Sequence, residues 1–131
     1  MLDFMRGAHT SPFSFIETVE NMTSYEMMAT ANFSEEKVYK RYCKNAWPLI
    51  VESLAQAAGI HIKNNFNPDF NGYLVGLNDL HIQKAGELLC GYHLVTKMIS
   101  SLDDKYVYHC EAFTKTNHSI LSCSILLSNS D

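Results

Sequence analysis

The chain has 131 residues, a formal net charge of −4 with neutral histidines, and 47% hydrophobic residues. This length fits a single domain spanning residues 1–131, and the hydrophobic fraction is sufficient for a core. The acidic balance argues against a nucleic-acid-binding protein, since such proteins usually carry a basic excess. No apolar run approaches the roughly 20 residues of a membrane-spanning helix. The N-terminal residues also lack the apolar stretch of a signal peptide, so we predict a cytoplasmic protein without a membrane association.

The cysteines indicate neither a zinc site nor a redox motif. The four residues, Cys43, Cys90, Cys110 and Cys123, fit free thiols in a reducing compartment. None are spaced as C-x-x-C, the arrangement typical of zinc knuckles and thioredoxin-like sites. We therefore predict no metal centre.

Two strands and a short helix are predicted in the first third of the chain. Residues 14–19 and 26–33 are mixed apolar runs, and residues 21–24 (N-M-T-S) are typical of a turn between them. Periodicity alone also allows a short helix at 26–33. Residues 34–45 follow as a short helix, because Ser34 is a good N-cap and two glutamates sit at the positive end of the helix dipole.

A long, mostly buried helix is predicted next, over residues 48–63. Pro48 suits a first helical turn because a proline there lacks only a donor that the helix would not use. Apolar residues recur at helical spacing behind it, and residues 64–72 are rich in turn-forming residues. One acid, Glu52, stands among the apolar residues of this helix.

The rest of the chain is predicted to form strands, at residues 73–82, 88–101, 105–114 and 119–127. Residues 103–104 and 116–118 are typical of hairpin turns. A sheet of this size needs its apolar face covered, and only the long helix is available for that. The predicted fold class is α+β, with a curled antiparallel sheet wrapped around one long central helix.

The segment E-S-L-A-Q-A-A-G at residues 52–59 is similar to the motif E-A-x-A-Q-A-x-G of the 3-hydroxyacyl-(acyl-carrier-protein) dehydratases of fatty-acid synthesis. Three weaker similarities occur in the same order as in that family: H-T-S-P-F at residues 9–13, L-V-G at residues 74–76, and Cys90-Gly91. Together they cover nearly the whole chain. The chain thus resembles this hotdog-fold family.

The resemblance implies a site and its partners. The helix carboxylate, Glu52, would face a narrow acyl tunnel at a dimer interface and work with a histidine from the other protomer. Substrate contacts would come from Gln56, Trp47, Pro48, Val75 and Gly76. The resemblance implies no cofactor, because the acyl group arrives on the phosphopantetheine of an acyl carrier protein or of coenzyme A. The implied assembly is a homodimer, or a heterodimer with another hotdog subunit.

Two departures from the family pattern fall close to the implied site. The catalytic histidine lies fourteen residues before the helix glutamate, but this chain has Val38 there and no histidine between His9 and His61. At the start of the helix, Pro48 cannot donate the backbone N–H that would hold the thioester carbonyl, and Trp47 replaces a glycine. His61 is nine residues after Glu52, so it points to the opposite side of the helix. For the histidines other than His9, we expect satisfied or solvated side chains.

Three activities stay open at this point. The first is a dehydratase or hydratase with an unusual second catalytic group. The second is a subunit that completes a heteromeric dehydratase, with the histidine supplied by its partner. The third is an acyl thioesterase that uses Glu52 to activate water. The motif A-Q-A-A-G favours the dehydratases over the thioesterase, and the missing histidine favours the second activity over the first.

A basic helical face is the predicted carrier-docking surface. Lys37, Lys40, Arg41 and Lys44 are spaced i, i+3, i+4 and i+7, so they share one face of the predicted helix 34–45. Acyl carrier proteins are acidic and would suit this face. The alternative is a solvated face that complements the helix dipole.

Overall fold

The computed structural model describes residues 15–32, 47–83 and 91–129. Its elements, in chain order, are β1 Ile16–Met22, β2 Glu26–Asn32, α1 Trp47–Asn65, β3 Gly72–Ile82, β4 Gly91–Leu102, β5 Lys105–Phe113 and β6 Ser119–Asn129. The predicted helix 34–45, its four basic residues and Val38 lie outside the described residues, as do His9, Cys43 and Cys90.

The described strands form one antiparallel sheet in the order β1-β2-β4-β5-β6-β3. Alternate side chains of each inner strand are buried against α1, which lies across the sheet. In β5 these are Tyr106, Tyr108, Cys110 and Ala112. Period-two burial of this kind is the pattern of a sheet with one covered face. The predicted α+β class, with one long helix covering an antiparallel sheet, is confirmed.

Helix α1 is buried on more than one side. Leu54, Ala58 and Ile62 are fully buried, and they lie at i, i+4 and i+8 along one stripe. The helix extends one residue earlier and two residues later than predicted, and Pro48 lies in its first turn. Ser53 stays inside the core because its hydroxyl donates to the carbonyl of Ile50, at 2.7 Å. Among the described residues, no helix has both the length and the hydropathy needed to cross a membrane.

The predicted hairpin turns are confirmed, with small shifts in the strand ends. Asp103 and Asn117 adopt left-handed φ values of 56° and 66°, a conformation that Asp and Asn tolerate better than most residues. β1 runs to Met22 rather than to residue 19, because Met22 still pairs with Met27 of β2. Cys110 and Cys123, which lie opposite each other on β5 and β6, are free thiols, as predicted, and both are buried.

β3 forms one edge of the described sheet, because the chain crosses from α1 to pair with the last strand, β6. Its side chains include exposed apolar groups at Tyr73, Leu74, Val75 and Ile82. An apolar edge strand with free backbone groups is a ready site for pairing with another chain. This edge runs directly beside α1, at the place where the candidate site is found.

Candidate functional site

A groove separates one face of α1 from the beginning of β3, and it encloses about 120 Å³. The five residues that the helix contributes are spaced by three, one, three and four positions, so they share one face. The described lining consists of Glu52, Ala55, Gln56, Gly59 and Lys63 of α1, of Phe70, Asn71, Gly72, Tyr73 and Leu74 from the following loop and β3, and of Leu127 of β6. Glu52 and Lys63 are eleven residues apart, or about 16 Å along the helix axis.

Gln56 fixes the orientation of the carboxylate in the groove. Its Oε1 accepts a hydrogen bond from the backbone N–H of Phe15, at 2.8 Å. That donor determines which end of the amide is which, so Nε2 faces the helix turn before it and donates to Oε2 of Glu52, at 3.3 Å. Gln56 is buried, whereas Glu52 is only partly buried. The buried amide thus ties the start of β1 to the helix and holds a more accessible carboxylate beside the groove.

Two hydrogen bonds and a tightly packed glycine hold the opposite wall of the groove, from Phe70 to Gly72, in place. Lys63 Nζ donates to the carbonyl of Phe70, at 3.2 Å, and Asn71 N–H donates to Oδ1 of Asn129, at 3.0 Å. Gly72 has no room for a side chain, since a Cβ there would lie 2.0 Å from Cζ of Phe70 and 2.6 Å from the carbonyl oxygen of Ser128. A glycine at this position therefore lets the Phe70 ring lie across the start of β3.

The structure brings together some of the predicted site residues. Glu52 and Gln56 lie on the same groove wall. Trp47 and Pro48 are half-buried in the first turn of α1, before Glu52, and are not part of the described lining. Val75 and Gly76 follow Leu74 on β3, just past the lining, and Val75 is exposed. The substrate contacts assigned to these residues stay predictions.

Sequence reasoning missed most of the groove. Gly59 and Lys63 had a usable signal, because they continue the helical stripe of Glu52 and Gln56 at i+7 and i+11. The residues from Phe70 to Leu74 had none in the local sequence. They reach the helix only because β3 pairs with β6 rather than with its nearest neighbours in the chain.

His61 lies on the opposite side of α1 and is fully buried. Its Nε2 lies 2.9 Å from the carbonyl of Thr23, which can only accept, so Nε2 carries the proton. Nδ1 then accepts from the hydroxyl of Tyr108, at 2.6 Å. Burial lowers the pKa of His61, although the hydrogen bond to Thr23 partly opposes this effect. The prediction that His61 is a satisfied histidine pointing away from Glu52 is confirmed.

The other described histidines also agree with a satisfied or solvated state. His93 is half-exposed and lies 3.3 Å from a carboxylate oxygen of Glu20, and His118 is exposed beside the Thr116 hydroxyl. His81 and His109 are exposed. None of the histidines that the structure describes lines the groove. Within the same ranges, no cluster of three or more His, Cys, Asp or Glu side chains is arranged to hold a metal ion.

The groove can therefore hold a narrow ligand against apolar and amide surfaces, with one carboxylate on its wall. A positioned carboxyl group of this kind can transfer a proton to or from a bound ligand. The described lining offers no second carboxyl group, and its other ionisable groups are the Tyr73 hydroxyl and the Lys63 ammonium, which is about three helical turns from Glu52.

No protein-family model matches the sequence, and no curated protein matches it. Solved structures, in contrast, are similar to nearly the whole chain. The dehydratase heterocomplex ApeI:P from Xenorhabdus doucetiae matches with a TM-score of 0.78 at 16% identity, over 95% of this chain and 88% of that one. A hypothetical thioesterase with coenzyme A from Streptococcus pneumoniae matches with a TM-score of 0.71 at 12% identity, over 99% and 97%.

A third similar structure is smu.793 from Streptococcus mutans bound to acetyl-CoA, with a TM-score of 0.65 at 10% identity, over 86% of this chain and 87% of that one. At such low identities these likenesses show the fold alone. Together with the antiparallel sheet and the central helix, they show that the chain has a hotdog fold.

Proposed function

We propose that this chain binds acyl thioesters in the groove between α1 and β3 and supplies Glu52 to the dehydration of 3-hydroxyacyl thioesters. In this proposal it acts within a hetero-oligomer, and a second hotdog subunit supplies the histidine. The observation that carries the proposal is the carboxylate of Glu52, held by Gln56 on a groove wall that has no histidine among its described residues. The reaction class belongs to fatty-acid or polyketide-type biosynthesis.

The chemistry requires two proton transfers. A base removes a proton from C2 of the acyl chain, and an acid protonates the hydroxyl that leaves C3, so that water departs and a C2–C3 double bond forms. Loss of one positioned acid or base typically costs about a hundred- to ten-thousand-fold in rate. A groove with one carboxyl group is therefore well suited to half of this chemistry.

The edge strand supports a partner of the same fold. β3 forms one rim of the groove, and its exposed Tyr73, Leu74 and Val75 lie at or next to that rim. A second subunit paired along β3 would bury this apolar edge and roof the groove at the same time. The similarity to a dehydratase heterocomplex supports a different hotdog chain as that partner, with a second copy of this chain as the alternative.

The acyl group is proposed to arrive on phosphopantetheine. The similarity to structures that hold coenzyme A and acetyl-CoA supports a thioester ligand. An acyl carrier protein is the proposed donor, docking on Lys37, Lys40, Arg41 and Lys44, which lie outside the described residues. Coenzyme A is the other carrier compatible with the groove.

The decisive experiment measures hydration of a crotonyl thioester in a single-turnover assay. The purified chain alone is expected to be at least a hundredfold slower than a dehydratase with both catalytic groups. Mixing it with a histidine-bearing hotdog subunit should restore the rate, and Glu52→Gln should remove the restored activity. Glu17→Gln is the matched control, because it removes the same charge from an exposed position on β1.

Three results would contradict the proposal. If the unmixed chain works within tenfold of an intact dehydratase and loses that rate on Glu52→Gln, it is a complete enzyme by itself. If it hydrolyses acyl thioesters without hydrating crotonyl thioester, Glu52 activates water and the chain is a thioesterase. Light scattering that shows a monomer at micromolar concentration, alone and in the mixture, would exclude the proposed pairing along β3.

A further inference from the structure

We propose that the ring of Phe70, which faces Gly59 across the groove, narrows the groove and restricts it to short acyl chains of about four to six carbon atoms. The inference rests on the proposed function, because it assumes that an acyl chain occupies the groove. It adds the class of substrate that the groove selects and the two residues that select it.

Gly59 is the point at which the helix leaves space for a ligand. It is buried and lies in the lining between Gln56 and Lys63. Outside its own helix, a Cβ at position 59 would meet one described atom within 4 Å, which is Cε2 of Phe70, at 3.9 Å. This is an ordinary van der Waals distance, so the position would accept a methyl group without strain. Glycine destabilises a helix interior relative to alanine. Helix stability therefore does not explain the glycine at position 59, whereas a need for space in the groove would.

Phe70 forms a fixed wall rather than an adaptable one. Its N–H donates to the carbonyl of Asn67, at 3.0 Å, and its own carbonyl accepts from Lys63. The ring packs edge-to-face against Tyr106, with centroids 5.6 Å apart, and lies over the bare backbone of Gly72. Because backbone and ring are both held, a longer chain cannot displace the ring without breaking several contacts.

The volume sets the approximate chain length. The groove encloses about 120 Å³, and a cavity of about 150 Å³ in another protein holds one benzene molecule, which has six carbon atoms. In proportion, this groove takes about five carbon atoms. One additional methylene in an apolar pocket of fixed shape changes affinity by about tenfold or more, so the limit should be sharp.

The test uses one variant that makes the groove smaller and one that makes it larger. Binding is measured by calorimetry on the purified chain, using S-(2-oxoalkyl)-coenzyme A analogues with acyl chains of two to ten carbons. A methylene between sulfur and carbonyl prevents hydrolysis of these probes. Gly59→Ala should lower affinity for the six-carbon relative to the four-carbon analogue by about tenfold. Phe70→Leu should shift the preferred length upward by one or two carbons.

Thermal unfolding separates this effect from damage to the fold. Gly59→Ala should raise Tm by about 2–5 °C, because alanine stabilises a helix interior relative to glycine. Weaker binding of longer chains would then accompany a more stable protein. Asn64→Ala is the matched control, since it raises helix propensity at an exposed position of the same helix outside the lining and should leave the length profile unchanged.

The outcomes distinguish this inference from the proposed function. If analogues bind but neither variant changes the length profile, the Gly59–Phe70 wall does not select the chain, while acyl binding itself stands. If no analogue of any length binds to the native chain, both the inference and acyl binding in this groove are overturned. A shorter preferred chain length in Gly59→Ala together with a longer one in Phe70→Leu would support the inference.

Discussion

Polar side chains have different surroundings on the two sides of α1. On the core side, His61 is fully buried, and both ring nitrogens are hydrogen-bonded to Thr23 and Tyr108. On the groove side, Glu52 is partly exposed beside a cavity, and Gln56 orients it. A buried group with every hydrogen bond made contributes to stability and specificity of the core, whereas a group aimed at a cavity is available to a ligand. One helix therefore carries both a structural and a candidate catalytic polar residue.

The largest effect that tests this comparison is expected at His61. His61→Leu leaves the buried Tyr108 hydroxyl and the partly buried Thr23 carbonyl without their partner, and an unpaired buried group costs about 1–3 kcal/mol. We expect the free energy of unfolding to fall by about 2–5 kcal/mol in urea denaturation. The double variant His61→Leu/Tyr108→Phe should recover part of this loss, because both ends of one hydrogen bond are then apolar. Equal stability of His61→Leu and the native chain would show that the core-side network is not structural.

The next test is the pH dependence of stability. The pKa of His61 is below its ordinary value of 6.5 in the folded protein, so the unfolded chain takes up this proton first as the pH falls. The contribution of neutral His61 is therefore fully present above about pH 6.5 and decreases below it, until the folded-state pKa is reached. Denaturation midpoints measured between pH 8 and pH 5 should fall more steeply for the native chain than for the double variant. Parallel curves would exclude His61 as the group responsible.

A smaller effect, of opposite sign, is expected at Thr96. This residue is buried on β4, and its hydroxyl has no hydrogen-bond partner in the part of the chain that the structure describes. It therefore lacks the hydrogen bonds that compensate for the burial of His61. Thr96→Val should raise the free energy of unfolding by about 1 kcal/mol, because the unpaired hydroxyl is removed at nearly the same shape. A loss of stability would indicate that the hydroxyl is satisfied in solution.

The smallest effect on stability is expected for Glu52→Gln. The glutamine keeps a carbonyl oxygen for Nε2 of Gln56 and removes a charge from a partly buried position. The free energy of unfolding should change by less than about 1 kcal/mol, as is usual for substitutions away from a structural network. A loss of several kcal/mol would reverse the comparison, because Glu52 would then anchor the fold as His61 does.

The sequence itself predicted the elements and which residues share a helix face. Helical spacing put Glu52 and Gln56 on one stripe and turned His61 to the other side. The same spacing extends the stripe to Gly59 and Lys63, although the sequence analysis did not select them. Turn-forming residues at 103–104 and 116–118 placed the hairpins. These features depend on residues only a few positions apart, and so the sequence was sufficient for them.

The tertiary structure alone decided what each face of the helix meets. The pairing of β3 with β6 carries Phe70 and Gly72 onto the stripe of Gly59, and the order of the inner strands places Tyr108 beside His61, 47 positions away in the chain. Phe15 reaches Gln56 across 41 positions in the same manner. Such contacts depend on strand order and register, which result from the packing of the whole sheet rather than from any local pattern. The groove and the buried histidine network are therefore properties of the fold.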